Sequence, residues 1–227
     1  IRDSVAARGL GDVYKRQFWN TGFYLKRAGE LFDPQVGYIK RSNINESYGT
    51  IGFHKRYRNR PILEINPYVE ANQVERSDGH LETRNLSLGL DVLFLNGAKL
   101  MSKLNNNFED VPYSLVLYGS TVTEGDYSFN GYSSHFISNQ SLPISATIGL
   151  SGGGFYGGTN NSTTFKAKLR KDYRFSLEVG VQRNEIRLGG ISTLASTYSA
   201  KFKFNLSTTL LNSLYMQYNA LSVEQTK

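Results

Sequence analysis

Leu142-Pro143-Ile144-Ser145-Ala146-Thr147-Ile148-Gly149-Leu150-Ser151 alternates without a break. Leu142, Ile144, Ala146, Ile148 and Leu150 share one parity, and Ser145, Thr147, Gly149 and Ser151 share the other with Ser141. Successive side chains of an extended chain point to opposite sides, so this stretch is a β-strand with one apolar face, and a period of two leaves no room for a helix. The pattern recurs. Tyr198, Ala200, Phe202, Phe204 and Leu206 oppose Lys201, Lys203 and Asn205. Phe175, Leu177, Val179 and Val181 oppose Arg174, Ser176, Glu178 and Gln182. Five such stretches each run for about ten positions, whereas soluble strands average roughly five to six residues and outer-membrane strands need about nine to eleven. The length predicts an antiparallel up-and-down transmembrane β-barrel, polar inward and apolar outward.

Composition is consistent with one domain. The 227 residues suffice for a single core, and the absence of cysteine excludes disulfides, thiolate metal sites and cysteine nucleophiles. The longest apolar run, Val92 to Leu95, is far too short for a spanning helix. Mean hydropathy of −0.39 does not separate a soluble protein from a barrel, because a strand with one face toward lipid and one toward water averages to a polar value. The formal charge of +7 would suit nucleic acid. Its placement argues otherwise: His54, Lys55, Arg56, Arg58 and Arg60 sit beside the turn at Asn59-Arg60-Pro61, while Lys166, Lys168 and Arg170 lie on the polar parity of a strand. These are the positions of lumen and loop residues, and no recognition helix or stacked-aromatic motif accompanies them, so no nucleic-acid partner is expected.

Strands are predicted near 18–26, 46–57, 62–76, 81–95, 97–108, 126–138, 142–152, 162–171, 173–185, 194–206 and 209–220. Ser77-Asp78-Gly79-His80, Asn96-Gly97 and Lys171-Asp172 read as tight turns. Segments 27–45, 109–125 and 186–193 read as longer connectors, and short alternating with long is what barrels show between their two rims. Phe18, Trp19, Tyr24, Tyr113, Tyr118, Tyr127, Phe129, Phe155, Tyr156, Tyr215 and Tyr218 lie near predicted strand ends, where interfacial girdles form. Residues 1–17 carry no alternation and have the look of a non-native adapter peptide, so the barrel domain is assigned to 18–227. Eleven strands is an odd number, and the last predicted strand has no turn after it. The domain therefore reads as a fragment lacking its C-terminal strands, with open edges near 18–26 and 209–220.

Five motifs occur in order: Phe32-Asp33-Pro34-Gln35-Val36-Gly37-Tyr38, Gly125-Asp126-Tyr127-Ser128-Phe129, Gly154-Phe155-Tyr156-Gly157-Gly158, Arg183-Asn184-Glu185-Ile186 and Met216-Gln217-Tyr218-Asn219. Together they make the chain resemble the outer-membrane barrel family of unknown function numbered 5916, from Bacteroidota, over residues 18–227. In that family the barrel follows an N-terminal domain similar to family 9 carbohydrate-binding modules, which this sequence lacks. The resemblance implies a place in the outer membrane, lipid as a partner, and a transport or surface-anchoring role, with glycans met through the N-terminal domain.

No residue is assigned to catalysis, cofactor binding or metal ligation. Gly149-Leu150-Ser151-Gly152-Gly153 matches G-x-S-x-G, but that nucleophile elbow needs a strand, a sharp turn and a helix, and no histidine lies downstream. The glycine run is expected to form a flexible hairpin, and it lacks the Lys of a phosphate loop. His54, His80 and His135 have no metal-ligand spacing. Glu109 with Asp110 and Glu124 with Asp126 bracket a connector and read as a solvated acidic loop rather than an acid/base pair or cation site. The competing class is a soluble extracellular β-sandwich that binds or hydrolyses polysaccharide, with its apolar faces buried against each other.

Overall fold

The computed structural model describes residues 18–31, 41–58, 60–172, 174–207 and 209–225. The proposed adapter 1–17 and the Phe32–Tyr38 motif lie outside them. The described chain is all β. In order, its strands are β1 (Trp19–Ala28), β2 (Ile44–Phe53), β3 (Lys55–Arg56), β4 (Ile62–Arg76), β5 (Leu81–Phe94), β6 (Lys99–Val111), β7 (Leu115–Leu117), β8 (Ser120–Val122), β9 (Gly125–Ile137), β10 (Ile144–Phe155), β11 (Gly158–Arg170), β12 (Phe175–Leu188), β13 (Ile191–Asn205) and β14 (Leu211–Gln225). The long strands pair antiparallel in the order β1-β2-β4-β5-β6-β9-β10-β11-β12-β13-β14, with β3 off this path on β4, and β7 with β8 as a separate hairpin. The eleven long strands match the eleven expected segments. The sheet is not closed: β1 and β14 end the path without pairing to each other.

Connectors alternate between two rims. One rim, here the upper, carries the β1–β2, β4–β5, β6–β9, β10–β11 and β12–β13 connections, and the lower rim carries the rest. Connector length is not sorted by rim, contrary to expectation, because the upper rim holds both the 112–124 excursion and two-residue turns. Segment 186–193 is not a long connector. Ile186–Leu188 complete β12, and Gly189 (φ 56°) and Gly190 (φ 77°) make the tight turn into β13. Positive φ at both central residues suits the right-handed strand twist, and glycine reaches it without strain. Gly149–Gly153 form no hairpin either. They lie inside β10, and the turn falls at Tyr156 and Gly157. Asp172 closes a lower turn by accepting hydrogen bonds from the amides of Arg174 (2.7 Å) and Phe175 (3.1 Å).

Register carries parity across the whole sheet. Leu86, Leu88, Leu90 and Val92 of β5 share one face with Leu104 and Leu100 of β6, Tyr132 and Phe136 of β9, and Ile148 and Leu150 of β10. The same face continues through Phe165, Val181, Val179, Leu177 and Phe202. Leu88 is 57% exposed and Ile144 71%, so the apolar face is bare. The opposite face carries Glu70, Asn72, Asn85, Ser87, Lys103, Asn105, Ser133, Thr164 and Gln182.

The bare apolar face is a band of limited height. On β5 its exposed residues run from Leu86 to Leu90, about 14 Å along the strand, with buried Val92 below them. Leu95, Leu142, Leu206 and Leu210, all more than half exposed, extend it onto the lower turns. Above it the same parity becomes polar: Arg27 on β1, Arg84 on β5, Asn106 on β6, Asn130 on β9, and Arg183, Glu185 and Arg187 on β12. The band also slants across the strands. The cross-strand rung through its upper limit on β1, Leu25, meets β5 at Arg84, whereas the rung through its upper limit on β12, Val181, meets β5 at Val92. Those rungs are eight residues apart over eight strand steps. At about 3.4 Å per residue and 4.8 Å per strand, the strands lean roughly 35° from the normal to the band.

The expected aromatic girdle holds only in part. Phe18, Trp19 and Phe53 cluster at the lower rim with ring centroids 5.4–6.1 Å apart, and Tyr198 stacks on Tyr218 at 6.2 Å on the apolar face. Parity instead turns Tyr24, Tyr127, Phe129 and Tyr215 to the polar face.

Candidate functional site

The polar face is the one surface built for chemistry, and β1 to β6 make its densest part. Glu46 of β2 accepts hydrogen bonds from Tyr24 Oη (2.7 Å) and Asn72 Nδ2 (3.3 Å) and pairs with Lys26 Nζ at 3.6 Å. Glu70 holds Lys103 Nζ at 3.3 Å. Ser87 Oγ, almost fully buried, donates to Asn85 Oδ1 at 2.7 Å, and Asn85 donates in turn to Asn107. Period-two alternation delivers these side chains to one face, and register lines them up strand to strand. Lys26, Glu46, Glu70, Asn72, Asn85 and Asn107, together with Arg41, Glu109 and Phe129, border an open cleft of about 720 Å³.

Close packing on this face uses missing side chains. Tyr68 of β4 lies across Gly89 of β5, whose absent Cβ would stand 2.1 Å from the ring. Any side chain at Gly89 would displace the ring from the wall. His135 lies over Gly149 in the same way, 2.7 Å from the missing Cβ.

At the upper rim the 112–124 segment is more than the connector expected. Its β7–β8 hairpin turns onto the polar face, where Val111, Val122, Ile186 and Leu188 form a small dry cluster with Leu115, Leu117, Tyr127, Phe155 and Tyr156 around it. Ser120 Oγ donates to the Leu188 carbonyl at 2.6 Å, tying the hairpin to a strand 68 residues away. Tyr156 Oη donates to Glu109 Oε2 at 2.6 Å. Burial pushes the Tyr156 phenol well above its usual range, and the Glu109 carboxylate adds to that by its bond and its charge, so the hydroxyl stays protonated.

The residues weighed for catalysis are dispersed. Ser151 sits mid-strand opposite Ser133 and Ser162, with no elbow turn. His54 pairs with Glu64 (2.8 Å) and His80 with Asp110 (2.9 Å). Among the described residues no three His, Cys, Asp or Glu side chains are grouped to hold a metal. Glu109 and Asp110 are split to opposite faces by alternation, and Asp110 has Asp126 as its register partner. The hairpin and the Tyr156–Glu109 clamp were missed from sequence. Val116-Leu117-Tyr118-Gly119-Ser120-Thr121-Val122 does carry the signal, an apolar-rich pair of short runs about a Tyr-Gly turn.

Comparison with known protein families, with curated proteins and with solved structures finds no match for this chain.

Proposed function

We propose that this chain is the wall of an outer-membrane β-barrel, with the apolar band against lipid and the polar face lining an aqueous lumen. The carrying observation is the band itself: bare, bounded above by a polar strip, and slanted so that the strands lean roughly 35°, close to the tilt of about 35–45° in outer-membrane barrels. A soluble sandwich has to bury such a face against a second sheet. Among the described residues the buried apolar side chains reduce to small clusters at the upper rim and a few isolated ones. The role is that of a segment of a surface glycan-binding or transport protein of the resembled barrel family, with no chemistry performed by this chain.

Closure follows from topology. β1 and β14 are the first and eleventh strands of an alternating path and so run in the same direction. Antiparallel closure therefore takes an odd number of further strands, which brings the total to the even count usual in bacterial barrels. Among the described residues both edges offer unpaired backbone groups, and the isolated chain is expected to aggregate.

The lack of cysteine makes the test clean. Single cysteines at Leu88 and Val179 on the apolar face, and at Gln182 and Gln217 on the exposed polar face, are labelled with a fluorophore after refolding into vesicles. Brominated lipid chains should quench the first pair and a water-soluble quencher the second. Equal quenching of both pairs by the aqueous reagent overturns the reading.

A further inference from the structure

The apolar band is notched at its upper edge. Phe23 of β1 lines up across the strands with Gly49 of β2, Ala71 of β4, Leu86 of β5 and Asn106 of β6. On the next rung up the same face, Leu25, Ser47, Gln73, Arg84 and Phe108 follow in the same order. Large side chains therefore stand on β1 and β5, with Gly49, Ala71 and Ser47 between them. The result is an open notch of about 440 Å³ bordered by Phe23, Gly49, Ala71, Gln73, Arg84 and Leu86. A Cβ built on Gly49 would meet no atom within 4 Å, so the described chain leaves this space empty.

The notch joins two chemistries. Its lower border is apolar, and exposed Ile51 and Val69 on the rung beneath continue it into the band. Its upper border is Arg84, an exposed cation whose guanidinium carbon lies 6.0 Å from the centre of the Phe108 ring. Arg84 forms no ion pair with another described residue. The carboxylates at this corner are engaged elsewhere: Glu75 accepts from Gln73 Nε2, and Glu82 holds Arg41 and Arg76, each at 3.4 Å. An uncompensated guanidinium at the top of an apolar hollow matches an amphiphile with an anionic head and a hydrocarbon tail. Phosphate suits that head, because two guanidinium N–H groups can meet two oxygens of one phosphate.

We propose that the notch between β1 and β5 binds a phosphate-bearing lipid, with its head group on Arg84 and its first acyl carbons over Gly49 and Ala71. The site rests on the reading that the band faces lipid, and adds to it a preference for one class of lipid.

Reporter tryptophans test it in a Trp19→Phe background, with the full chain refolded in zwitterionic detergent micelles. Ile51→Trp places the reporter one rung below Gly49, and Ile144→Trp places it at the lower end of the band on β10. Each is titrated with phosphatidic acid or phosphatidylcholine, both brominated on the acyl chains. At position 51 half-quenching should need about fivefold less phosphatidic acid than phosphatidylcholine, the contribution of one arginine at an anionic lipid surface. At position 144 the two lipids should act alike. Arg84→Gln should remove the preference, and Gly49→Leu, which fills the notch, should do the same with strand content unchanged by circular dichroism. Arg183→Gln, in the polar strip on β12, should leave it intact. A preference that survives Arg84→Gln, or that appears equally at position 144, overturns the proposal. Equal quenching by both lipids at both positions rejects the notch alone. No quenching by either lipid overturns the lipid-facing reading and the site with it.

Discussion

Val111, Val122, Ile186 and Leu188 are 2–7% exposed, whereas Leu88, Ile148, Phe165 and Val179 are 41–57% exposed. Both groups are large apolar side chains of strands, and all but Val122, which the β7–β8 hairpin contributes, come from the long strands and arise from alternation. They differ in what lies opposite. Val111, Ile186 and Leu188 point to the polar face, where the β7–β8 hairpin folds back and covers them with Val122. The second group points away from everything the chain provides. Hydrophobicity creates a demand for burial, and the surroundings decide whether the chain or a bilayer meets it.

Four substitutions, with one control on the polar face, probe that difference, the four taken from the largest expected effect to the smallest. Val179→Arg places a charge within the bare band and should cost about 2–4 kcal/mol of folding stability in lipid vesicles, read by urea titration. In lipid-free buffer the same change should improve solubility. Gln217→Arg on the polar face should stay within about 0.5 kcal/mol of the parent. A Val179→Arg protein as stable in vesicles as Gln217→Arg would erase the contrast between the faces.

Leu188→Ala acts on the covered group. It should cost about 2–3 kcal/mol, the low end for a buried leucine because the cluster is small and near a rim. The loss should be similar in detergent and in lipid, since the hairpin rather than the bilayer buries this side chain. A cost that vanished in detergent would mean that the hairpin does not seal the cluster.

Ser120→Ala removes the tie to the Leu188 carbonyl and leaves a buried acceptor unmatched, at a cost of about 1–2 kcal/mol. Amide exchange should rise in Leu115–Leu117 and Ser120–Val122 and hardly change in β5. Uniform exchange across both regions would show that the hairpin has no independent fastening.

The smallest effect is a matter of pH. The Tyr156 phenol is raised in the folded state, so its contribution is fully present below the ordinary tyrosine value near 10 and is lost as pH climbs toward the folded value. Tyr156→Phe should cost about 1 kcal/mol at neutral pH. It should also flatten the alkaline decline in stability expected of the parent. An unchanged alkaline limb would remove Tyr156 as its source.

Much of this architecture could be read along the chain because period two is a local property. Ile144 to Leu150 and Phe175 to Val181 reveal both the strand and its apolar side with no knowledge of a neighbour, and Asp78-Gly79 and Asn96-Gly97 mark turns by their own backbone preferences. The glycine run at 149–153 misled for a related reason. Glycine signals a turn when read alone, but here register sets Gly149 beneath His135 and Gly152 beside Tyr132, so small residues in a strand interior make room for large ones across it.

Alternation, strand length and the parity of every charge were determined by the sequence itself, since they depend only on the pleat. Four other features were decided by the tertiary structure alone. These are the slant of the band across eight strand steps, the setting of Lys168 and Lys201 on either side of Glu178, the hairpin folded over Ile186 and Leu188, and the shared direction of β1 and β14. Each of them is a relation between residues far apart in the chain. Such relations are set by which strands pair and in what register, and no local pattern encodes them.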